Sequence, residues 1–255
     1  MEVADCPGAR QDYDALMKPL LWTAAIICVM GCRETGMAGT SIGDEVMEAL
    51  RVVEDPDGFT NIRSGPSVKS AVSGKAVSGS IVSITGLEGD WAKLASPTGK
   101  EKPAYIHSSR LRKLDSWKEV AGKQGKDESK ASVKDGTVEV SVMSSPFVAA
   151  DHRITKSKEG ATVVDGIQIL GVDGGLPQHS LTLTVTMDGK PVSIPVDATR
   201  DLFEPNHDSL ILLTPPKTGG PFIVLMQNSD GAGSYTVAWA FAGGKYLDRE
   251  ILGAP

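Results

Sequence analysis

From Leu181 to Met187 the chain alternates: Leu181, Leu183, Val185 and Met187 are apolar, and Thr182, Thr184 and Thr186 between them are polar. A period of two marks a strand with one face on a core, and β-branched threonines suit the other face. Asp188-Gly189 follows, after which Val192, Ile194 and Val196 alternate again. Asp-Gly between alternating runs predicts a hairpin, because a type I′ turn needs positive φ at both central residues. The device recurs at Asp165-Gly166, between Val163-Val164 and Ile167 with Ile169, and Gly243-Gly244 is a related turn. Tyr235, Val237, Trp239 and Phe241 line one face of a further strand. Residues 137–255 thus read as a β domain of about seven to nine strands with almost no helix. An antiparallel sandwich is the expected packing, with a barrel as the alternative.

Residues 51–114 carry shorter strands and closer turns. Ile81-Val82-Ser83-Ile84 alternates, Gly86, Gly89 and Asp90 mark a turn, and Trp91-Ala92-Lys93-Leu94 follows. Pro97 and Gly99 mark the next turn, ahead of Ala104-Tyr105-Ile106. Such spacing predicts a small barrel. Between the two domains, residues 113–136 carry six lysines and almost no large apolar residue past Val120. Residues 115–136 therefore read as a polar linker, or equally as a short polar helix.

The N-terminal pattern is different again. Met17-Lys18-Pro19 precedes eleven residues without a charge, Leu20 to Met30. As helix these cover about 16 Å, half of a hydrocarbon core, which fits a secretory signal peptide at 17–31 rather than a permanent span. Glu2, Asp5, Asp12 and Asp14 place acid where such a signal needs base. Residues 1–16 are accordingly expected to be an extension upstream of a start at Met17. Val29-Met30-Gly31-Cys32 resembles a bacterial lipobox, and the resemblance implies lipid on Cys32 followed by a tether over 32–50. Arg33 after the lipid site fits delivery to the outer membrane rather than the inner one, facing the periplasm.

Charge and cysteine content narrow the function classes. The chain carries a formal net charge of −6, so nothing general attracts it to nucleic acid. Its three cysteines are Cys6, Cys28 and Cys32, so the chain beyond residue 32 has neither a disulfide framework nor a thiolate metal site.

Two runs carry a family resemblance. Asp57-Gly58-Phe59-Thr60-Asn61-Ile62-Arg63-Ser64-Gly65-Pro66-Ser67 and Tyr105-Ile106-His107-Ser108-Ser109-Arg110-Leu111 resemble the opening and closing of a bacterial SH3 domain. Trp91 with Lys93 and Leu94 is similar to the family's central strand. Ala104 stands where the family has Gly, and the loop before it is charged by Lys100, Glu101 and Lys102. The resemblance implies a small barrel over about residues 52–114, with Ile62 in its core and Arg63 half-buried. It also implies a module that binds cell-wall peptides or docks proteins. Phe59, Trp91 and Tyr105, with Asn61 and His107 as polar contacts, are the groove candidates.

Catalytic patterns are sparse. His107 adjoins Ser108, but neighbours on a strand face opposite ways, and no Gly-x-Ser-x-Gly elbow occurs. His107, His152, His179 and His207 lack metal-ligand spacing, and Asp151-His152 and His207-Asp208 read as loop residues. Asp197, Asp201 and Glu204 are the remaining acid pairs. In the second domain the loop Asn228 to Tyr235 is the candidate partner contact, through Asp230, Gly231, Gly233 and Tyr235. One carboxylate is too few for a calcium loop. The expectation is a mainly β, lipid-anchored envelope protein without cofactor or catalysis. It would dock to or inhibit a protein partner, as an immunity protein blocks a toxin. Binding of peptidoglycan through the SH3 groove is the alternative, and an envelope hydrolase using Asp201 or Asp230 the third reading.

Overall fold

The computed structural model describes residues 42–96, 102–217 and 219–253. The expected upstream extension and signal peptide, with Cys32, lie outside the described residues. The short helix α1 (Asp44–Ala49) leads directly into β1 (Leu50–Val53). β2 (Phe59–Arg63), β3 (Val72–Val77), β4 (Ile81–Glu88), β5 (Trp91–Leu94), β6 (Tyr105–His107) and β7 (Leu111–Arg112) complete one antiparallel sheet. Its order is β3-β2-β6-β5-β4-β1-β7, so β3 and β7 are open edges. Val53, Ala76 and Ile106 fill its concave side with Ile62 against them, the place the resemblance gave Ile62. Gly58, at φ +81°, makes the turn into β2.

The rest of the chain adds β8 (Lys118–Ala121), β9 (Lys123–Gln124), β10 (Lys130–Asp135), β11 (Val138–Pro146), β12 (Ile154–Lys156), β13 (Thr162–Val164) and β14 (Ile167–Gln168). Then come β15 (His179–Met187), β16 (Lys190–Pro191), β17 (Ile211–Thr214), β18 (Phe222–Asn228), β19 (Tyr235–Ala242) and β20 (Lys245–Leu252). They make two five-stranded sheets, β16-β15-β11-β10-β9 and β20-β19-β18-β17-β8, with β12-β13-β14 as a small third. Val140, Val142, Leu183 and Val185 of one large sheet share a core with Leu212, Val224, Val237 and Trp239 of the other. This is a sandwich. Both Asp-Gly hairpins form as expected, with positive φ at Asp165, Gly166, Asp188 and Gly189.

The sheet ending in β20 is covered on both faces. Its other side, Ile211, Leu213, Ile223, Leu225, Ala238 and Ala240, packs on Leu50, Val52 and Ile81 of the SH3-like sheet. Ala238 and Ala240 leave room for that approach. Burial from both sides explains why Phe222 to Met226 is an unbroken apolar run instead of an alternation. Pulling the layers apart would expose Leu50, Val52 and Ile81, at about 1.5–3 kcal/mol each and on the order of 5 kcal/mol together. That is comparable with the whole stability of a small domain. A polar contact marks the same seam: Ser83 donates its N–H (3.2 Å) and its hydroxyl to Glu250 Oε1. Burial holds the Glu250 carboxyl above its usual range.

Three expectations change. Residues 115–136 hold β8, β9 and β10, which join the two large sheets. Ala131 and Val133 point into the sandwich, and Leu114 and Trp117 anchor the seam. Residues 42–50 are no tether: Ile42 is buried, and Val46 and Met47 of α1 pack against the seam core. The alternation of Val192, Ile194 and Val196 does not continue as strand, since β16 stops at Pro191 and a 3-10 turn starts at Val196. The last bond to β15 is from Val192 N–H to the Val185 carbonyl at 2.8 Å, and Pro195, which has no N–H and a fixed φ, leads into the 3-10 turn instead of resuming the pairing.

Candidate functional site

β2 sends Phe59, Asn61 and Arg63 outward while Ile62 turns to the core, the alternation of any strand. Beside them, Trp91 of β5 lies opposite His107 of β6 in register. Their rings meet edge to face, 5.2 Å apart at 80°. With Asp55, Asp57, Val68, Ser109 and Arg110 these side chains wall an open groove of about 390 Å³.

The groove is charged in both signs. Asp55 is only 8 % exposed, and its Oδ1 accepts the Asp57 N–H at 3.0 Å. Its Oδ2 lies 3.4 Å from Arg110 Nε, the pairing a buried carboxylate requires. Arg63 donates to the Ser70 carbonyl at 2.8 Å, which ties the loop bearing Val68 to the strand. Lys75 sits 3.9 Å above the Phe59 ring as a cation–π partner. The Ser109 hydroxyl lies 2.8 Å from His107 Nδ1, and the Ser109 N–H donates to the same nitrogen at 3.3 Å. Those contacts cap the turn that closes the domain, and Nδ1 is occupied by them.

Four of the five groove candidates come together here: Phe59, Asn61, Trp91 and His107. Tyr105 does not. It is 5 % exposed and donates its hydroxyl to Glu88 Oε1 at 3.0 Å. Burial and then the Glu88 carboxylate push its pKa up. Asp55 and Arg110 went unassigned in the sequence. Asp55 precedes the recognisable run and Arg110 lies in the closing one, and only the fold pairs them.

The partner loop of the second domain divides. Asp230 borders a separate cleft of about 500 Å³ with Gly171, Asp173, Leu176, Glu204 and Ser229. Gly231 has φ +59° with open space around it. Gly233 is packed, since a Cβ there would stand 3.0 Å from the Val172 backbone. Tyr235 is a core residue, 1 % exposed, whose hydroxyl donates to the Phe203 carbonyl at 2.9 Å. It has no surface to offer a partner. Asp201 is held in two bonds by Arg249, at 2.6 and 2.7 Å, and Asp197 lies 2.9 Å from Arg200. Among the described residues no cluster of His, Cys, Asp or Glu could hold a metal ion.

Residues 58–112 match the family model for the bacterial SH3 domain, and the groove is therefore that of a bacterial SH3 domain. The C-terminal domain has no family match. No curated protein and no solved structure matches the chain.

Proposed function

We propose that this chain is a non-catalytic binding protein of the bacterial cell envelope, anchored by lipid on Cys32, whose SH3 groove takes a peptide. The groove itself carries the reading: two aromatic rings, Phe59 and Trp91, stand among Asp55, Asp57, Arg63 and Arg110. Such a wall suits an extended peptide bearing both ammonium and carboxylate groups, as the stem peptides of the cell wall do. Aromatic anchors in a groove are where binding energy concentrates. Sedimentation of the full chain with purified sacculi tests this. Phe59→Ala and Trp91→Ala are each expected to weaken binding about tenfold. Sedimentation unchanged in both variants would overturn the assignment.

A second reading is docking to a protein, including inhibition of a toxin or hydrolase, through the second domain. The cleft beside Asp230 and Leu176 favours it, since Leu176 is 53 % exposed there. A soluble partner from envelope extract whose capture is lost with Leu176→Asp and kept with Trp91→Ala would establish that reading. The reverse pattern returns the function to the groove.

A further inference from the structure

Arg110 ends the 3-10 turn Ser108–Arg110 and lines the SH3 groove, its side chain 43 % exposed. What fixes it lies beneath the surface. The Asp55 side chain is 6 % exposed, and its Oδ2 stands 3.4 Å from Arg110 Nε. Asp55 is itself held on every side. Its N–H donates to Ser78 Oγ at 3.1 Å, its carbonyl accepts the Gly58 N–H at 3.0 Å, and its Oδ1 accepts the Asp57 N–H. The Arg110 backbone is pinned as well, since its carbonyl accepts the Glu54 N–H at 2.8 Å. A guanidinium carries five N–H donors, and Asp55 meets this one at Nε. Among the described residues neither terminal nitrogen of Arg110 forms a hydrogen bond. An ion pair that only holds the fold looks different in the same chain. Arg249 meets Asp201 through both terminal nitrogens, at 2.6 and 2.7 Å, and both side chains are mostly buried. The other arginine of the groove is committed too, because Arg63 Nη1 donates to the Ser70 carbonyl.

Given that the groove takes a peptide, as proposed above, we infer that Arg110 is its carboxylate-binding residue and Asp55 the buried group that positions it. The peptide carries a free carboxylate, at its C-terminus or on an acidic side chain. That carboxylate accepts from the two terminal nitrogens, whose planar fork matches its two oxygens. Because Asp55 already orients the guanidinium, little side-chain freedom is left to lose on binding. Asp57 lines the same groove, exposed and without an ion pair among the described residues, and suits an ammonium on the same peptide. A solvated ion pair would account for the exposure of Arg110, but gives no reason for a buried, fully bonded aspartate that leaves the outer fork open.

The test is calorimetric titration of the full chain with the pentapeptide Ala-Glu-Lys-Ala-Ala in three forms. These are the free acid, the C-terminal amide, and the free acid with Gln in place of Glu. The unmodified chain is expected to bind the free acid about tenfold more tightly than one of the other two. Loss on amidation assigns the C-terminal carboxylate to Arg110, and loss on the Gln exchange assigns the side-chain one. Asp55→Asn with Arg110→Gln removes both charges, so no buried carboxylate is left unpaired, and this double variant should bind all three forms alike. Trp91→Ala should weaken every form and keep the tenfold preference. Equal binding of the three forms, still weakened by Trp91→Ala, would overturn the role of Arg110 and leave the groove a peptide site. A preference that survives the double variant would overturn it as well. Failure of all three forms to bind would remove both the peptide site and its carboxylate residue.

Discussion

Tyr235 and Gly171 illustrate how single residues hold this structure. The Tyr235 hydroxyl satisfies the Phe203 carbonyl deep in the molecule, and Tyr235→Phe leaves that carbonyl without its donor. The expected cost is about 1–3 kcal/mol in urea unfolding, whereas a partner-contacting tyrosine would leave stability unchanged. Gly171 has φ +99°, and a Cβ there would stand 2.4 Å from the Phe203 carbonyl oxygen. Gly171→Ala is therefore strained in backbone and blocked by backbone, and should cost about 3 kcal/mol or more by the same measurement. His207 supplies a pH dependence. It is 6 % exposed with no partner for Nε2 among the described residues, and burial, then His179, hold its pKa below the usual 6.5. The unfolded chain thus binds more protons than the folded one as pH falls. The contribution of His207 is complete above the ordinary value and is lost as pH drops through the folded one. Unfolding midpoints taken from about pH 7.5 to 5 should fall, and less steeply in His207→Gln.

At the scale of elements, the segment 115–136 separates what composition reveals from what pairing decides. β10 is short and lysine-flanked, yet Ala131 and Val133 alternate inward and complete a five-stranded sheet. Val133→Asp should cost about 3 kcal/mol or more by burying an unpaired charge, while Lys126→Asp, on an exposed turn, should stay within about 0.5 kcal/mol. A true linker would tolerate both. The hairpins were legible because Asp-Gly turns and period-two runs are local properties of the chain. So was the SH3 domain, through its opening and closing runs. β8 and β10 were not, because their apolar positions are few and acquire meaning only against β17 and β11. The groove was legible to the same extent. Phe59, Asn61, Trp91 and His107 could be named, but Tyr105 shares their strands and is nevertheless covered by Glu88.

For the whole molecule, the sheet shared between sandwich and SH3 domain predicts one cooperative unfolding transition. Fluorescence changes reported by Trp91 and by Trp239 should coincide along a urea titration, each isolated by replacing the other tryptophans with Phe. Two separate midpoints would contradict a common core. The seam also carries its own pH dependence. Because Glu250 titrates above the ordinary 4.5 in the folded state, its contribution is full below that value and declines as pH rises through the folded one. Glu250→Gln should flatten that part of the profile.

The seam has a mechanical consequence as well. Two domains on a flexible connection stretch like springs in series, and the softer one yields first. Here a tug on a ligand in the groove is transmitted through Leu50, Val52 and Ile81 into the sheet behind them. Under tension from a single-molecule trap, the chain should rupture in one step from residue 42 to residue 253. The groove would keep a fixed distance from the sandwich up to that force.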